Sequence, residues 1–207
     1  HQISATWADK IEFLFENQLE TWNMARNHYR QFESVQRRTI EFDGFELIVQ
    51  HNPARARSTC ADLSKPAIEN RPCFLCAANL PADQKGFPLL DRYLLLVNPF
   101  PIFNRHLTIS DFAHTPQNIA NRLSDMLQMA RLLEGFTVFY NGPLCGASAP
   151  DHFHFQAVQS GEMPIEKEFV AMKENHGKVL VNEEDIQISI FEKYLREVVL
   201  FESTYAE

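Results

Sequence analysis

Residues 139–157 read Phe-Tyr-Asn-Gly-Pro-Leu-Cys-Gly-Ala-Ser-Ala-Pro-Asp-His-Phe-His-Phe-Gln-Ala. In the second half of this stretch, His152, His154 and Gln156 alternate with two phenylalanines. Because successive side chains of a β-strand point to opposite faces, a strand over residues 151–158 buries the phenylalanines and presents the imidazoles and the amide together. Such a polar row on a rigid element is typical of a catalytic site. The alternative is a solvent-facing strand surface that happens to contain histidine.

The loop before this strand, residues 145–150, consists mainly of small side chains. Gly146 lets the backbone approach a ligand closely, so that N–H groups of the loop can bind a phosphate. Ser148 adds a hydroxyl group. The loop therefore predicts a phosphate-binding site beside the two histidines.

The composition bounds the class of protein. The chain has 207 residues, which fits one large domain or two small ones. A hydrophobic fraction of 45% excludes a disordered chain. The 7 glycines form neither a GxGxxG sequence nor a P-loop, which excludes two common nucleotide-binding solutions. The net charge of −8 argues against binding to nucleic acid. In so acidic a chain, the phosphate groups of a ligand must be bound by a small local cluster of Arg and Lys.

The sequence also predicts a cytoplasmic protein without a membrane partner. No window approaches the run of about 18 apolar residues that a membrane-spanning helix needs. The first residues carry several acidic side chains, unlike a signal peptide. Four cysteines with a single Cys-x-x-Cys pair suit a reducing compartment better than a disulfide scaffold.

Hydrophobic periodicity and turn residues predict an antiparallel α+β fold rather than a doubly wound α/β fold. We expect residues 1–69 to form an N-terminal amphipathic helix and a β-hairpin that decorate the core, and residues 70–207 to form the principal domain. The expected elements are helices over 5–33 and 116–133, a hairpin over 39–49 with its turn at Asp43-Gly44, strands over 93–97, 105–110, 136–140 and 151–158, and two or three short strands within 178–203.

The Gly-Ala-Ser loop followed by His-x-His-x-Gln resembles the nucleotidyltransferase and phosphorylase branch of the histidine-triad (HIT-like) superfamily. This branch includes galactose-1-phosphate uridylyltransferases, diadenosine tetraphosphate phosphorylases and GDP-L-galactose phosphorylases. The resemblance covers roughly residues 70–170 and implies a HIT-like antiparallel sheet with packed helices. It assigns to His154 the role of a nucleophile that forms a covalent nucleotidyl-histidine intermediate, with Ser148 as a further catalytic-site residue. Dimers are usual in the branch, so a homodimer is expected.

The chemistry of the residues agrees with that assignment. A neutral imidazole near its usual pKa of about 6.5 is a good nucleophile toward phosphorus when its other ring nitrogen donates a hydrogen bond. Gln156, on the same face as His154, is placed to bind a non-bridging oxygen of the phosphoryl group in transfer.

A second group of candidate residues begins at Cys73-Phe-Leu-Cys76. Two thiolates at this spacing suit one tetrahedral Zn²⁺ ion, which needs two more ligands. The resemblance to uridylyltransferases assigns His114 and His152 to complete a structural Cys₂His₂ site, with His106 as the rival third ligand. A redox Cys-x-x-Cys pair and a metal-free knuckle of packed thiols are the alternatives.

The resemblance also assigns nucleotide contacts. Asn98 and Asn141 match nucleotide-contacting positions, although both stand in sequences that also suit ordinary turns. Lys167 and Arg57 are candidates for binding phosphate.

These residues together predict a nucleotidyltransferase or phosphorylase of the ping-pong type. Its substrate would be a nucleoside diphosphate sugar or a dinucleoside polyphosphate, and its acceptor would be phosphate or a sugar phosphate. Two alternatives stay open: a non-catalytic nucleotide-binding regulatory module, and a HIT-type nucleotide-phosphate hydrolase, whose sequence more often ends in a third histidine.

Overall fold

The computed structural model describes residues 5–53, 62 and 64–205. Within these ranges the chain forms two compact units. The first is built from residues up to 35 and from 52 to 159, and the second from residues 36 to 51 and from 160 onward. The boundary expected at residue 70 falls inside the first unit.

The described residues contain ten strands, five α-helices and a short 3-10 helix over Ala77–Asn79. The strands are β1 (Gln36–Glu41), β2 (Glu46–His51), β3 (Gly86–Leu89), β4 (Tyr93–Val97), β5 (His106–Asp111), β6 (Phe136–Phe139), β7 (His154–Gln159), β8 (Gly177–Asn182), β9 (Ile186–Phe191) and β10 (Val199–Ser203). The helices are α1 (Trp7–Thr21), α2 (Asn23–Glu33), α3 (Lys65–Asn70), α4 (Leu123–Leu132) and α5 (Pro164–His176). All the strand pairs are antiparallel, so the predicted α+β class is confirmed.

The N-terminal helix expected over 5–33 is instead two helices that meet at Trp22. Thr6 starts α1 through a capping box, as its sequence indicates. Trp22 has extended backbone, with φ −107° and ψ 102°, and it closes α1 and opens α2. The apolar period continues through this break, which is why periodicity alone predicts one helix.

A five-stranded sheet in the order β3-β4-β5-β7-β6 forms the centre of the first unit. One face of the sheet carries the apolar core together with α1 and α4. Phe153 and Phe155 are completely buried in this core, as the alternation around the histidines predicts. Burying two aromatic side chains contributes roughly 2–3 kcal/mol each, so this face holds β7 firmly in place.

Helix α4 begins seven residues later than the periodicity indicates, at Leu123 instead of residue 116. The preceding residues pair with the backbone leading into β7. The N–H group of Phe153 donates to the carbonyl of Thr115 at 2.6 Å, and that of Gln117 donates to the carbonyl of Pro150 at 3.0 Å. These long-range hydrogen bonds outweigh the helical preference of the segment.

The second unit combines the hairpin β1-β2, helix α5 and a three-stranded sheet in the order β10-β9-β8. The hairpin turns at Asp43-Gly44 as predicted: the N–H of Phe42 donates to the carbonyl of Phe45 at 2.8 Å, and Gly44 has φ 85°. A small core unites these elements, and its buried members are Phe45, Met172, Phe191 and Tyr194.

None of the helices in the described ranges is both long and apolar enough to cross a lipid bilayer.

Candidate active site and metal centre

A cavity of about 500 Å³ lies on the face of the five-stranded sheet opposite the apolar core. Leu96, Thr108 and Gln156 are register partners across β4, β5 and β7, and all three line the cavity. His154, two residues before Gln156, lines it as well. The alternation of β7 therefore places two of the three predicted polar residues in one pocket and the phenylalanines in the core.

The His154 ring is held in one orientation by its own strand. Its Nδ1 atom lies 2.9 Å from the carbonyl oxygen of His152, to which an Nδ1–H group donates. This bond fixes the tautomer and leaves the Nε2 lone pair free. Burial lowers the pKa of His154 below its usual value, so the ring is neutral near pH 7. A neutral imidazole with a free Nε2 atom beside a cavity has the form that a nucleophile requires.

Gln117, which sequence reasoning missed, secures the backbone of His154. Its Oε1 atom accepts the N–H of His154 at 2.8 Å, and its Nε2 atom donates to the carbonyl of His154 at 3.0 Å. The same Nε2 atom donates to the carbonyl of Asn141 at 2.9 Å. Because β6 ends at Phe139, this side chain satisfies backbone groups of β7 that no neighbouring strand reaches.

We expect Gln117→Ala to lower the free energy of unfolding by about 2 kcal/mol or more, because it leaves buried backbone groups of His154 without partners. Urea unfolding measures this change. Gln128→Ala, at an exposed position of α4, is the matched control and should alter the free energy by less than about 0.5 kcal/mol. Equal effects of the two substitutions would contradict the assigned role.

The loop with Gly146 and Ser148 borders the cavity, as expected of a phosphate-binding loop. Gly146 has φ 96°, a conformation that favours glycine. Arg71 holds two positions of the chain before β7: its Nη2 atom donates to the carbonyl of Ser148 at 3.4 Å and pairs with Asp151 at 2.8 Å. Neither of these two charged residues was assigned from the sequence.

Cys73, Cys76, His114 and His152 meet at one point, with their ligand atoms all within 4.8 Å of one another. The Nδ1 atoms of His114 and His152 are 3.3 Å apart, and Cys76 Sγ lies 3.2 Å from His114 Nδ1. Cys73 Sγ lies 3.3 Å from His152 Nδ1. A tetrahedral Zn²⁺ with bonds of about 2.3 Å to sulfur and 2.0 Å to nitrogen separates its ligands by about 3.3–3.8 Å, so the donor set fits this ion.

The surroundings of His152 favour metal binding by its Nδ1 atom. Its Nε2 atom lies 2.8 Å from the carbonyl of Asp111, so an Nε2–H group donates there and the Nδ1 lone pair faces the thiols. Burial acts to raise the pKa of Cys73, but the interaction with the neighbouring His152 ring and hydrogen bonds from the backbone outweigh it and lower the pKa to about 7. The thiolate form of Cys73, which is the form that binds metal, is therefore populated near neutral pH.

His106, the rival metal ligand, takes no part in this cluster. Its Nε2 atom lies 2.7 Å from Oε1 of Gln156, at the edge of the cavity. Of the two candidates for the third ligand, the structure brings His114 to the cysteines.

Comparison with known proteins assigns a family to this chain. A family model described as "Domain of unknown function (DUF4922)" matches residues 14–159, more than half of the sequence. The chain belongs to the DUF4922 family. The matched region contains the cavity residues of β7 and the whole Cys/His cluster. Comparison with curated protein sequences gives no match.

Solved structures resemble this DUF4922 chain in fold. The crystal structure of yeast Ap4A phosphorylase Apa2 in complex with Ap4A matches it with 18% identity and a TM-score of 0.55, over 88% of this chain and 64% of the phosphorylase chain. Two further structures of that enzyme match with 17% identity. Its complex with AMP has a TM-score of 0.46, over 86% of this chain and 64% of that chain. The other structure has a TM-score of 0.42, over 68% of this chain and 50% of that chain. This chain thus spans less than two thirds of the phosphorylase. The first likeness shows the HIT-like fold that the sequence predicted.

Of the four remaining candidates for binding nucleotide or phosphate, two lie at the cavity of this DUF4922 chain. Asn98 and Asn141 both line the cavity. Asn98 also stabilises its turn, since its Oδ1 accepts the N–H of Phe100 at 2.9 Å and its Nδ2 donates to Thr108 at 3.0 Å. Lys167 is exposed on α5 of the second unit, and Arg57 lies outside the described residues.

Proposed function

We propose that this chain is a nucleotidyltransferase or phosphorylase that works through a nucleotidyl group carried on His154. The observation that carries the proposal is the hydrogen bond from His154 Nδ1 to the carbonyl of His152, which leaves Nε2 free at the cavity. The fold likeness to a phosphorylase supports the same class of reaction.

In the first half-reaction, the Nε2 lone pair of His154 attacks the α-phosphorus of the bound nucleotide. A P–N bond forms while the P–O bond to the leaving group breaks, and the leaving group keeps that electron pair. In the second half-reaction, an oxygen of phosphate or of a sugar phosphate attacks the same phosphorus. The P–N bond then breaks, and its electron pair returns to Nε2.

The phosphoryl group in transfer carries negative charge on its non-bridging oxygens. Gln156 supplies a donor from β7, and Ser148 supplies a hydroxyl from the loop before it. No Lys or Arg side chain lines the cavity within the described ranges. We therefore assign the initial phosphate binding to the backbone of the loop at Gly146. Arg57 and Lys167 stay candidates for cationic contacts.

The base and ribose would occupy the apolar part of the cavity. Trp22, Phe74 and Phe100 line this part, and Asn98 and Asn141 add amide groups beside them. Apolar walls with a few polar groups are typical of sites for small ligands. The similar phosphorylase binds Ap4A and AMP, so we propose a dinucleoside polyphosphate or a nucleoside diphosphate sugar as substrate.

Zn²⁺ is the proposed occupant of the Cys/His cluster. When bound, the ion would supply a fixed tetrahedral crosslink and no chemistry of transfer. His152 would then hold its carbonyl in place for the hydrogen bond from His154. A homodimer and a cytoplasmic location stay predictions from the sequence.

The proposal is tested by incubating the protein with Ap4A, UDP-glucose and GDP-mannose, each with and without labelled phosphate. We expect label to enter a nucleoside diphosphate product, and His51→Ala, at an exposed position of the second unit, should not change the rate. Release of nucleotide that does not depend on phosphate would favour a hydrolase. Tight binding without turnover of any substrate would favour a regulatory module.

A further inference from the structure

We propose that His106 is a positioning residue that holds the Gln156 amide with its NH₂ group facing the cavity. The role in catalysis rests on the function proposed above, whereas the orientation itself does not. Nε2 of His106 lies 2.7 Å from Oε1 of Gln156, and only 1% of the His106 surface is exposed. No role in the reaction was assigned to this histidine from the sequence.

The His106 ring has little freedom to turn away from Gln156. It stacks on Phe139, with ring centroids 6.3 Å apart at 19°, and it meets Phe103 edge to face at 6.0 Å. Its backbone carbonyl accepts the N–H of Asn98 at 2.9 Å and the hydroxyl of Tyr29 at 3.2 Å. The first residue of β5 is thereby fixed both at its backbone and at its ring.

The direction of this hydrogen bond decides what Gln156 offers to a ligand. The oxygen of an amide only accepts hydrogen bonds, and its nitrogen only donates them. When His106 donates from Nε2–H to Oε1, the oxygen is occupied and the two N–H donors of Gln156 are left for the cavity. The reversed amide would present an oxygen to the phosphoryl oxygens and would repel them.

The orientation of the Gln156 amide stabilises the transition state more than the bound substrate. Charge grows on the non-bridging oxygens as the phosphoryl group is transferred, and preorganised donors stabilise that charge. An amide that must rotate before it donates loses part of this benefit. His106 therefore acts through Gln156, and its replacement should affect kcat more than KM.

The test is a double-mutant cycle with His106→Phe and Gln156→Ala. Phenylalanine keeps the ring packing against Phe139 and removes only the donor. We expect His106→Phe to lower kcat about tenfold or more in the wild-type background and to cause no further loss in the Gln156→Ala background. His51→Phe is the matched control and should have no effect on kcat. An equal loss in both backgrounds would overturn the proposal, because it would show a purely structural role.

A second measurement does not depend on turnover. Long-range ¹H–¹⁵N spectra of the substrate-free protein report which ring nitrogen of each histidine carries the proton. We expect His106 to carry it on Nε2, and the side-chain amide signal of Gln156 to shift in His106→Phe. A His106 ring protonated on Nδ1 alone would overturn the proposed orientation even if the enzyme is active. The expected tautomer in a protein without transferase activity would instead refute only the proposed function.

Discussion

Replacing His154 by alanine is expected to lower kcat by about 10⁴-fold or more, because no other described side chain offers a free nucleophilic nitrogen at the cavity. Initial rates with labelled phosphate and the best substrate of the panel measure this loss. Nucleotide affinity should stay within about threefold, since His154 contacts phosphorus only as the new bond forms.

Two controls keep this result specific. The melting temperature of His154→Ala should stay close to that of the wild type, because the core face of β7 is untouched. His51→Ala should keep full activity. A His154→Ala protein that turns over within tenfold of the wild-type rate would contradict covalent catalysis by His154.

Replacing Cys73 by serine is expected to abolish metal binding and to lower the melting temperature by more than about 10 °C. Zinc in closed sites of this kind contributes folding free energy directly, with apparent values of about 10–16 kcal/mol in small peptides. Serine removes the thiolate that lies 3.3 Å from His152 Nδ1, so the proposed tetrahedral site loses one of its four ligands. Metal analysis of the purified protein and thermal unfolding measure both effects.

Cys145→Ser is the matched control for this substitution. Cys145 is a free, exposed cysteine outside the Cys/His cluster, so its variant should retain one Zn²⁺ per chain and the wild-type melting temperature. A wild-type protein that holds no metal after purification without chelators would contradict the proposed site. Equal metal content in wild type and Cys73→Ser would contradict the ligand assignment.

The sequence predicted best where local pattern and tertiary structure agree. The alternation of polar and aromatic residues around His154 correctly indicated a strand with its phenylalanines in the core and with His154 and Gln156 on the other face, because successive side chains of a strand point to opposite faces. The turn at Asp43-Gly44 followed from backbone preference alone.

The sequence predicted less where contacts between distant segments decide the structure. The helix expected from residue 116 begins at Leu123, because the preceding backbone pairs with the entry to β7. Gln117 and Arg71 act through hydrogen bonds to residues 37 and 77 positions away, respectively, which no local period reveals. Trp22 interrupts the first helix without a glycine or proline to signal it.

The three polar residues His152, His154 and Gln156 do not share one face, because β7 starts only after His152. His152 stands before β7 begins, and its ring joins the two cysteines, whereas His154 and Gln156 face the cavity. The backbone carbonyl of His152 still accepts the hydrogen bond from His154. One residue thus links the candidate metal centre to the candidate nucleophile.

The most direct measurement of the central claim is intact-mass spectrometry of the protein incubated with Ap4A or a nucleoside diphosphate sugar and no acceptor, followed by peptide mapping. We predict a mass increase of one nucleotidyl group, labile in acid, located on the peptide that carries His154 and absent from His154→Ala. It should disappear when phosphate is added. An unmodified protein across the whole substrate panel, or an adduct on a different residue, would contradict the account.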